Sequence, residues 1–566
     1  MFRLSYLVVI LVGILPLIPG LSGVILSSFN YIPSLGFTQP SWLGYVQLVT
    51  WSGWQQSLLI SLFSALFSTY LAAFFCFAVL QQLWGRKYWH KVETLLSPLL
   101  AMPHVAFAIG FAFLFAPTGM FARVASQWFD ITANSANTTW LVNDPYALGL
   151  TLALALKEIP FLLLMSIPVL QQLNLQRSQQ VAYSLGYSTQ QTWLKLIFPQ
   201  WLAKMRFALF AVIAYGVSVV DLALILGPTN PPTLAVLVWQ WFNDPDLALM
   251  PRASAGAVVL FLLASGLMLM VIGIEKSLTQ WWKAWQFSGR FGWRLPGLAI
   301  FSISALLAAL IFPLLLLWSF THRWRFPDLL PSRFSDRFWQ LEWANMAPTL
   351  TNSLVLALVS ASFALLLALI AHEYKTQHNR HIPDYVIALP MLLPQLSLLF
   401  GLQVASLYLS SERYFLWVIW SHVFFAFPFV YLALDGPWKS YNLNLSKTAL
   451  SLGKSPLRVF IQIKLQLLLP AIFYAWAVGA SVSLAQYLPT LMLGAGRIAT
   501  ITTEAVALSS GFDRRVTAIY ALWQAVLPFV FFSMAILLGR LTLRRKIGQS
   551  KEYRIHDTFA RKPRHL

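Results

Sequence analysis

The sequence predicts an all-α integral membrane protein of about 12 transmembrane helices in two parallel six-helix repeats. Three observations predict this. Of 566 residues, 58% are hydrophobic and 10% charged, where a soluble chain would be about one-quarter charged, and the mean hydropathy is +0.67. Apolar runs of membrane length recur along the whole chain. Finally, the polar stretch Gln180 to Pro199 (QVAYSLGYSTQQTWLKLIFP) returns as Lys447 to Gln466 (KTALSLGKSPLRVFIQIKLQ) at a constant offset of 267. With hydrocarbon as solvent, backbone polar groups must be satisfied internally, which favours helices.

The first apolar run, Leu4 to Leu26, follows Arg3. It exceeds a signal h-region in length and has no A-x-A exit, so it reads as a membrane helix. Further spans fall at Ser57 to Leu80, Leu95 to Phe115, Ala147 to Leu170, Phe207 to Leu226 and Ser254 to Ile274. The second set is Gly297 to Phe320, Leu350 to Ala371, Tyr385 to Leu409, Tyr414 to Leu434, Leu467 to Leu493 and Val516 to Leu538. With the N-terminus inside, alternate loops hold 28 Lys and Arg on the inner side and 10 on the outer side. That bias predicts cytoplasmic termini and puts both polar repeats on the cytoplasmic face of the membrane.

The duplication continues outside the loops. Ile159-Pro160-Phe161 aligns with Phe427-Pro428-Phe429 at 268, Gly227 with Gly494 at 267, Pro103 to Gly110 with Pro394 to Gly401 at 291, and Ser57-Leu58 with Ser353-Leu354 at 296. The units are a first repeat at 1–280 with its polar loop at 177–206, a second at 281–540 with its loop at 440–470, and a basic cytoplasmic tail at 541–566. Six spans per repeat with matching sidedness make the halves parallel repeats about an axis along the membrane normal.

The formal charge of +20 is explained by topology, so nucleic acid is not expected as a partner, and lipid is. Cys76 is the sole cysteine, which excludes an internal disulfide and a cysteine metal cluster. No histidine has a second ligand at metal spacing, and no catalytic constellation stands out. Gly453-Lys454-Ser455 imitates the end of a phosphate loop, but Thr448 occupies the place of its first glycine.

The repeated loops carry the functional signal. Ala182 and Gly186 in one copy, and Ala449 and Gly453 in the other, have the same spacing; Ala182, Leu185 and Gly186 are expected on one helix face, where small residues admit another surface. Glycine allows the positive φ that ends a helix. Alanine, three residues, glycine and then an amphipathic stretch to a proline thirteen residues on resembles the cytoplasmic loop of type I, binding-protein-dependent ABC importer permeases. The chain is similar to the ferric-iron and thiamine group, in a form with both membrane halves on one polypeptide. The resemblance implies docking of a homodimeric ATPase through Gln180, Ala182, Gly186, Pro199, Lys447, Ala449 and Gly453. It also implies ATP and magnesium on that partner with no cofactor in this chain, and an extracytoplasmic solute-binding protein. Two departures stand out: the family's leading glutamate is Gln180 in one copy and Lys447 in the other, and Gln466 replaces the closing proline, with Pro470 four residues on.

Charges inside hydrocarbon cost about 2.5–3.5 kcal/mol and point to function. Lys157, Glu158 and Asp221 are such groups, and Gln395, His422 and Gln486 are polar side chains in the second half. One reading sets them along a translocation path. The other makes a structural ion pair between helices, with Lys157 and Asp221 as partners. His104, after Pro103, is either on that path or an interhelical histidine. A proton-coupled secondary transporter with 6+6 helices is the alternative class; it would use Lys157, Glu158 and Asp221 as a proton relay. A polytopic membrane enzyme would need acids, histidines or metal ligands gathered at one face.

Overall fold

A computed structural model of the chain describes residues 2–129, 141–378, 381–409, 412–511 and 513–560, with side chains described from residue 4 to residue 542. Residues 561–566 of the basic tail lie outside the described residues. Helix dominates, because each apolar run must close its own hydrogen bonds. Among the described residues ten helices are long and apolar enough to cross a membrane, and one further span is a bent pair.

In the first half, span 1 is Phe2–Gly13 and Leu17–Ser28, interrupted just before Pro16 and Leu17. Span 2 is Trp54–Leu83 and span 4 is Leu148–Gln172. Span 3 breaks into Trp89–Ala101 and His104–Phe115 because Pro103, extended at ψ 152, cannot continue the helix. Span 5 breaks into Arg206–Ser218 and Asp221–Leu226, and span 6 is Met250–Lys276. Span 7, Gly297–Ser319, opens the second half, followed by span 8, Arg337–Gln377. Span 10 is Tyr414–Ser440, span 11 is Gln466–Ala485 with Leu488–Leu493, and span 12 lies in Arg514–Ala560.

The expected ninth span, Tyr385 to Leu409, is not one long helix. It consists of Asp384–Ile387, Leu389–Leu392 and Gln395–Ser406. Pro390 and Pro394 interrupt it, and Pro394 stands where Pro103 breaks span 3. The repeat therefore reproduces a broken third span in each half.

The first span of each half crosses to the other half. Span 1 packs on spans 8, 9 and 10 as well as span 6, and span 7 packs on spans 2, 3 and 12. Backbone closeness makes this crossing tight: a side chain at Gly23 would meet the Gly401 carbonyl of span 9. The repeat partner of Gly401 is Gly110, where a side chain would run into Ile311 of span 7. The Ser397 hydroxyl of span 9 donates to the Ala257 carbonyl of span 6 at 2.7 Å, and the Phe242 and Phe400 rings meet at 5.0 Å. One buried apolar core thus runs through both halves.

Both repeated loops lie at the same end of this bundle. Tyr6, near the start of span 1, stacks on Tyr374 at the end of span 8, and its hydroxyl accepts from the Ile382 N–H at 2.9 Å. At its other terminus span 1 approaches the start of span 6, where Gly44 lies against Pro251 and Ser28. The start of span 1 is therefore level with the end of span 8, where Glu373 meets Lys464 of the second loop; at the end of span 6, Glu275 likewise meets Arg206 at the close of the first loop.

Candidate functional site

The alanine-to-glycine spacing is a helix terminus. The first loop helix, Leu175–Ser184, ends at Gly186 with φ +78, and the second, Leu443–Ser451, ends at Gly453 with φ +82. In the first copy the Gly186 N–H donates to the Tyr183 carbonyl at 3.0 Å and the Tyr187 N–H to the Ala182 carbonyl at 3.0 Å. In the second, Gly453 donates to Leu450 at 3.0 Å and Lys454 to Ala449 at 3.2 Å. This is a Schellman closure, in which the residue four before the left-handed glycine accepts the bond from the residue after it. The alanine is that acceptor in both copies.

Burial corrects the expected contact face. Ala182 and Ala449 are each 7% exposed, whereas Val181 and Leu185 are 61% and 63% exposed and Leu452 is 78% exposed. Each loop helix packs on the stretch that follows its glycine, so the alanines are small to let the helix lie against its own protein. Val181 and Leu185, with Leu450 and Leu452, form the faces open to a partner. Gln180 and Lys447 are exposed beside them.

After the glycine each copy enters a π-helix, Thr192–Ile197 or Phe460–Leu465. Such wide turns displace side chains from α-helical register and recur at functional sites. Each holds a buried lysine. The Lys195 ammonium donates to the Ser288 carbonyl at 2.5 Å and also to the Gly289 carbonyl. The Lys464 ammonium sits 2.7 Å from the Glu373 carboxylate, over the Trp438 ring. Inspection of the sequence missed both, because 195 and 464 are two positions out of the repeat register.

The copies diverge where the sequence departs. Pro199 takes an early position of Phe198–Lys204, where its missing N–H costs nothing, and the chain then bends by 62° into Arg206–Ser218. With Gln466 at that place, Pro456–Ala485 runs on as one 30-residue helix and Pro470 lies inside it. Among the described residues, the segment joining the halves covers the first copy and not the second. The Gln191 carboxamide donates to the Arg290 carbonyl, Gln286 donates to the Lys195 carbonyl at 2.9 Å, and Gln81 holds Trp293 and Leu295 at 2.8 and 2.9 Å. Gly453 faces open space.

The intramembrane polar groups separate into two sets. The Lys157 ammonium donates to the Leu99 carbonyl at 2.9 Å, so the expected Lys157–Asp221 pair is not formed. A carboxylate oxygen of Glu158 lies 3.4 Å from His104 Nε2, and the His104 ring meets Tyr215 at 4.9 Å. Asp221 starts the second piece of span 5, within electrostatic reach of His104 and of Tyr487 from the second half. Gln395 adjoins this seam, its N–H donating to the Ser218 hydroxyl at 3.3 Å. In the second half His422 bridges the two pieces of span 11, with its ring nitrogens 2.8 Å from the Ser483 and Thr490 hydroxyls. Gln486 donates to the His422 carbonyl at 3.4 Å. The break in span 5 thus lies beside Glu158, His104, Asp221 and Gln395, and the break in span 11 beside His422 and Gln486.

No protein-family model matches the chain. It is 33% identical over 487 residues to the inner membrane ABC transporter permease protein YnjC of Escherichia coli K12, covering 86% of this chain and 88% of that protein. A spermidine/putrescine transport system permease protein PotC homolog from Mycoplasma genitalium is 26% identical over 175 residues, 30% of this chain and 61% of the relative. A probable sulfate transport system permease protein cysT from Nephroselmis olivacea is 28% identical over 155 residues, 25% of this chain and 54% of the relative.

Proposed function

Because the chain belongs to the inner-membrane permease subunits of ABC transporters, we propose that it supplies both membrane halves of a type I importer on one polypeptide. The importer takes a small solute from an extracytoplasmic binding protein and is of the ferric-iron and thiamine group. A separate homodimeric ATPase carries magnesium and ATP and drives it; this chain performs no bond chemistry. The observation that carries this reading is the pair of Schellman-closed loop helices at one end of the bundle, each with exposed leucines and each leading into a broken span at the joint between halves. The Lys and Arg distribution supports a cytoplasmic position for that end and for both termini.

In this mechanism the ATPase dimer grips Val181 and Leu185 on one side and Leu450 and Leu452 on the other. Closure around ATP moves both loop helices as rigid pieces, because their alanine faces are packed on the π-helices. Spans 5 and 11 carry the movement to Asp221 and Gln486. A cationic cargo agrees with the seam, where Glu158 lies 3.4 Å from His104 and Asp221 is within electrostatic reach of His104, Tyr215 and Tyr487, while Lys157 is turned onto a carbonyl.

The His104–Glu158 contact is the observation that favours the second reading, a proton relay in a secondary transporter. Proteoliposomes holding the chain with its ATPase and binding protein separate the two. Vanadate-sensitive, ATP-dependent uptake is expected; uptake driven by a proton gradient without any ATPase overturns the importer.

A further inference from the structure

A polar cleft of about 220 Å³ lies at the loop end, lined by Gln81, Gln82, Arg86, Thr189, Gln190 and Arg294. Three chain segments meet there: the end of span 2, the first loop just past its glycine, and the segment joining the halves. The lining contains two guanidinium groups and no carboxylate. Among the described residues neither Arg86 nor Arg294 forms an ion pair. Two cations and no carboxylate on one small cleft give it a positive potential that favours an anion.

The cleft is held open by bonds that use Gln81 and leave most of its other donors free. The Gln81 carboxamide is spent on the Trp293 carbonyl and the Leu295 N–H, and the Gln82 side-chain oxygen accepts from the Leu298 N–H at 2.7 Å. The Gln82 amide, the Gln190 carboxamide and both guanidiniums remain available, while the Thr189 hydroxyl shares a 3.3 Å hydrogen bond with the Tyr183 hydroxyl. That donor set suits a tetrahedral oxyanion, which guanidinium groups bind in bidentate fashion. Exposed Trp293 and Phe291 flank the site, and aromatic side chains at a span end mark headgroup depth.

We infer that this cleft binds a phosphate-bearing anion, either a soluble phosphate or the phosphodiester of an anionic lipid headgroup. The occupant ties the first loop to span 2 and to the joining segment, a tie the uncovered second loop does not have. The site needs no ATPase, so its test is independent of the importer reading.

The detergent-purified full chain is titrated calorimetrically with inorganic phosphate at low ionic strength. In parallel, native mass spectrometry counts phosphatidylglycerol retained from nanodiscs of phosphatidylglycerol and phosphatidylcholine. Saturable binding of one phosphate per chain, weakened about tenfold or more in Arg86→Gln/Arg294→Gln and kept in Lys87→Gln, identifies a soluble anion. Retention of one phosphatidylglycerol that the double variant loses, without phosphate binding, identifies a lipid. If the double variant is not monodisperse on gel filtration, Arg294→Gln alone serves for the comparison. Binding of neither anion, or equal binding by the variant, overturns the proposal.

Discussion

Lys195 and Lys464 occupy the same part of each half but meet different counter-groups, and this sets what their loss costs. Lys464→Met leaves the Glu373 carboxylate buried without its cation, an arrangement that costs about 3–5 kcal/mol. The expected result is a marked fall in melting temperature in detergent, largely recovered in Lys464→Met/Glu373→Leu. An unchanged melting temperature in the single variant would show that the pair is solvated. Lys195→Met instead removes a donor from the Ser288 and Gly289 carbonyls, so limited proteolysis within 288–296 should quicken while the melting temperature moves less. At the seam, Glu158→Gln and Asp221→Asn should each lower transport of a cationic solute at least tenfold while leaving ATPase co-purification intact; equal transport by both variants removes the carboxylates from the path.

At the scale of elements, the loop helices divide their residues between two surfaces. Leu185→Asp/Leu452→Asp should abolish co-purification of the ATPase with a well-folded chain, since the change falls on exposed faces. Ala182→Asp should act differently, because it puts a charge between the loop helix and its π-helix and unfolds the loop itself, which hydrogen exchange at Tyr187 reports. Retained ATPase in the leucine double variant would move docking elsewhere. The glycines are fixed by backbone geometry rather than by space: Gly453 has no neighbour that a side chain would strike, so Gly453→Ala costs only about 1–2 kcal/mol for the left-handed conformation. Gly186 additionally faces the Arg290 guanidinium, with 3.3 Å between it and an added Cβ. Two copies that read alike in sequence are therefore unequal, one strapped by the joining segment and bent at Met205, the other open and straight.

For the whole molecule, the exchange of first spans makes each half incomplete without the other. Gly401→Leu should displace span 1, because the opposing atoms belong to the Gly20 backbone and cannot move aside. Gly110→Leu meets the Ile311 side chain, which can change rotamer, and should cost only about 1–3 kcal/mol; Gly266→Leu, with open space around it, is the neutral control. Fluorescence-detected gel filtration against temperature ranks the three, and equal melting of all three would contradict the exchanged arrangement. The membrane as solvent, the repeat, and both glycine turns were legible in the sequence, since hydropathy and the hydrogen bond from the Tyr187 N–H to the Ala182 carbonyl are set by residues close in the chain. The ninth span was legible as an apolar run but its breaks were not, because hydropathy does not register that Pro390 and Pro394 cut the run into short helices. Only the tertiary structure decided that Ala182 faces inward, that Lys157 turns to Leu99 and not Asp221, and that spans 1 and 7 change sides. Each of these depends on which distant surfaces meet, and a glycine such as Gly23 permits a close approach without specifying the partner.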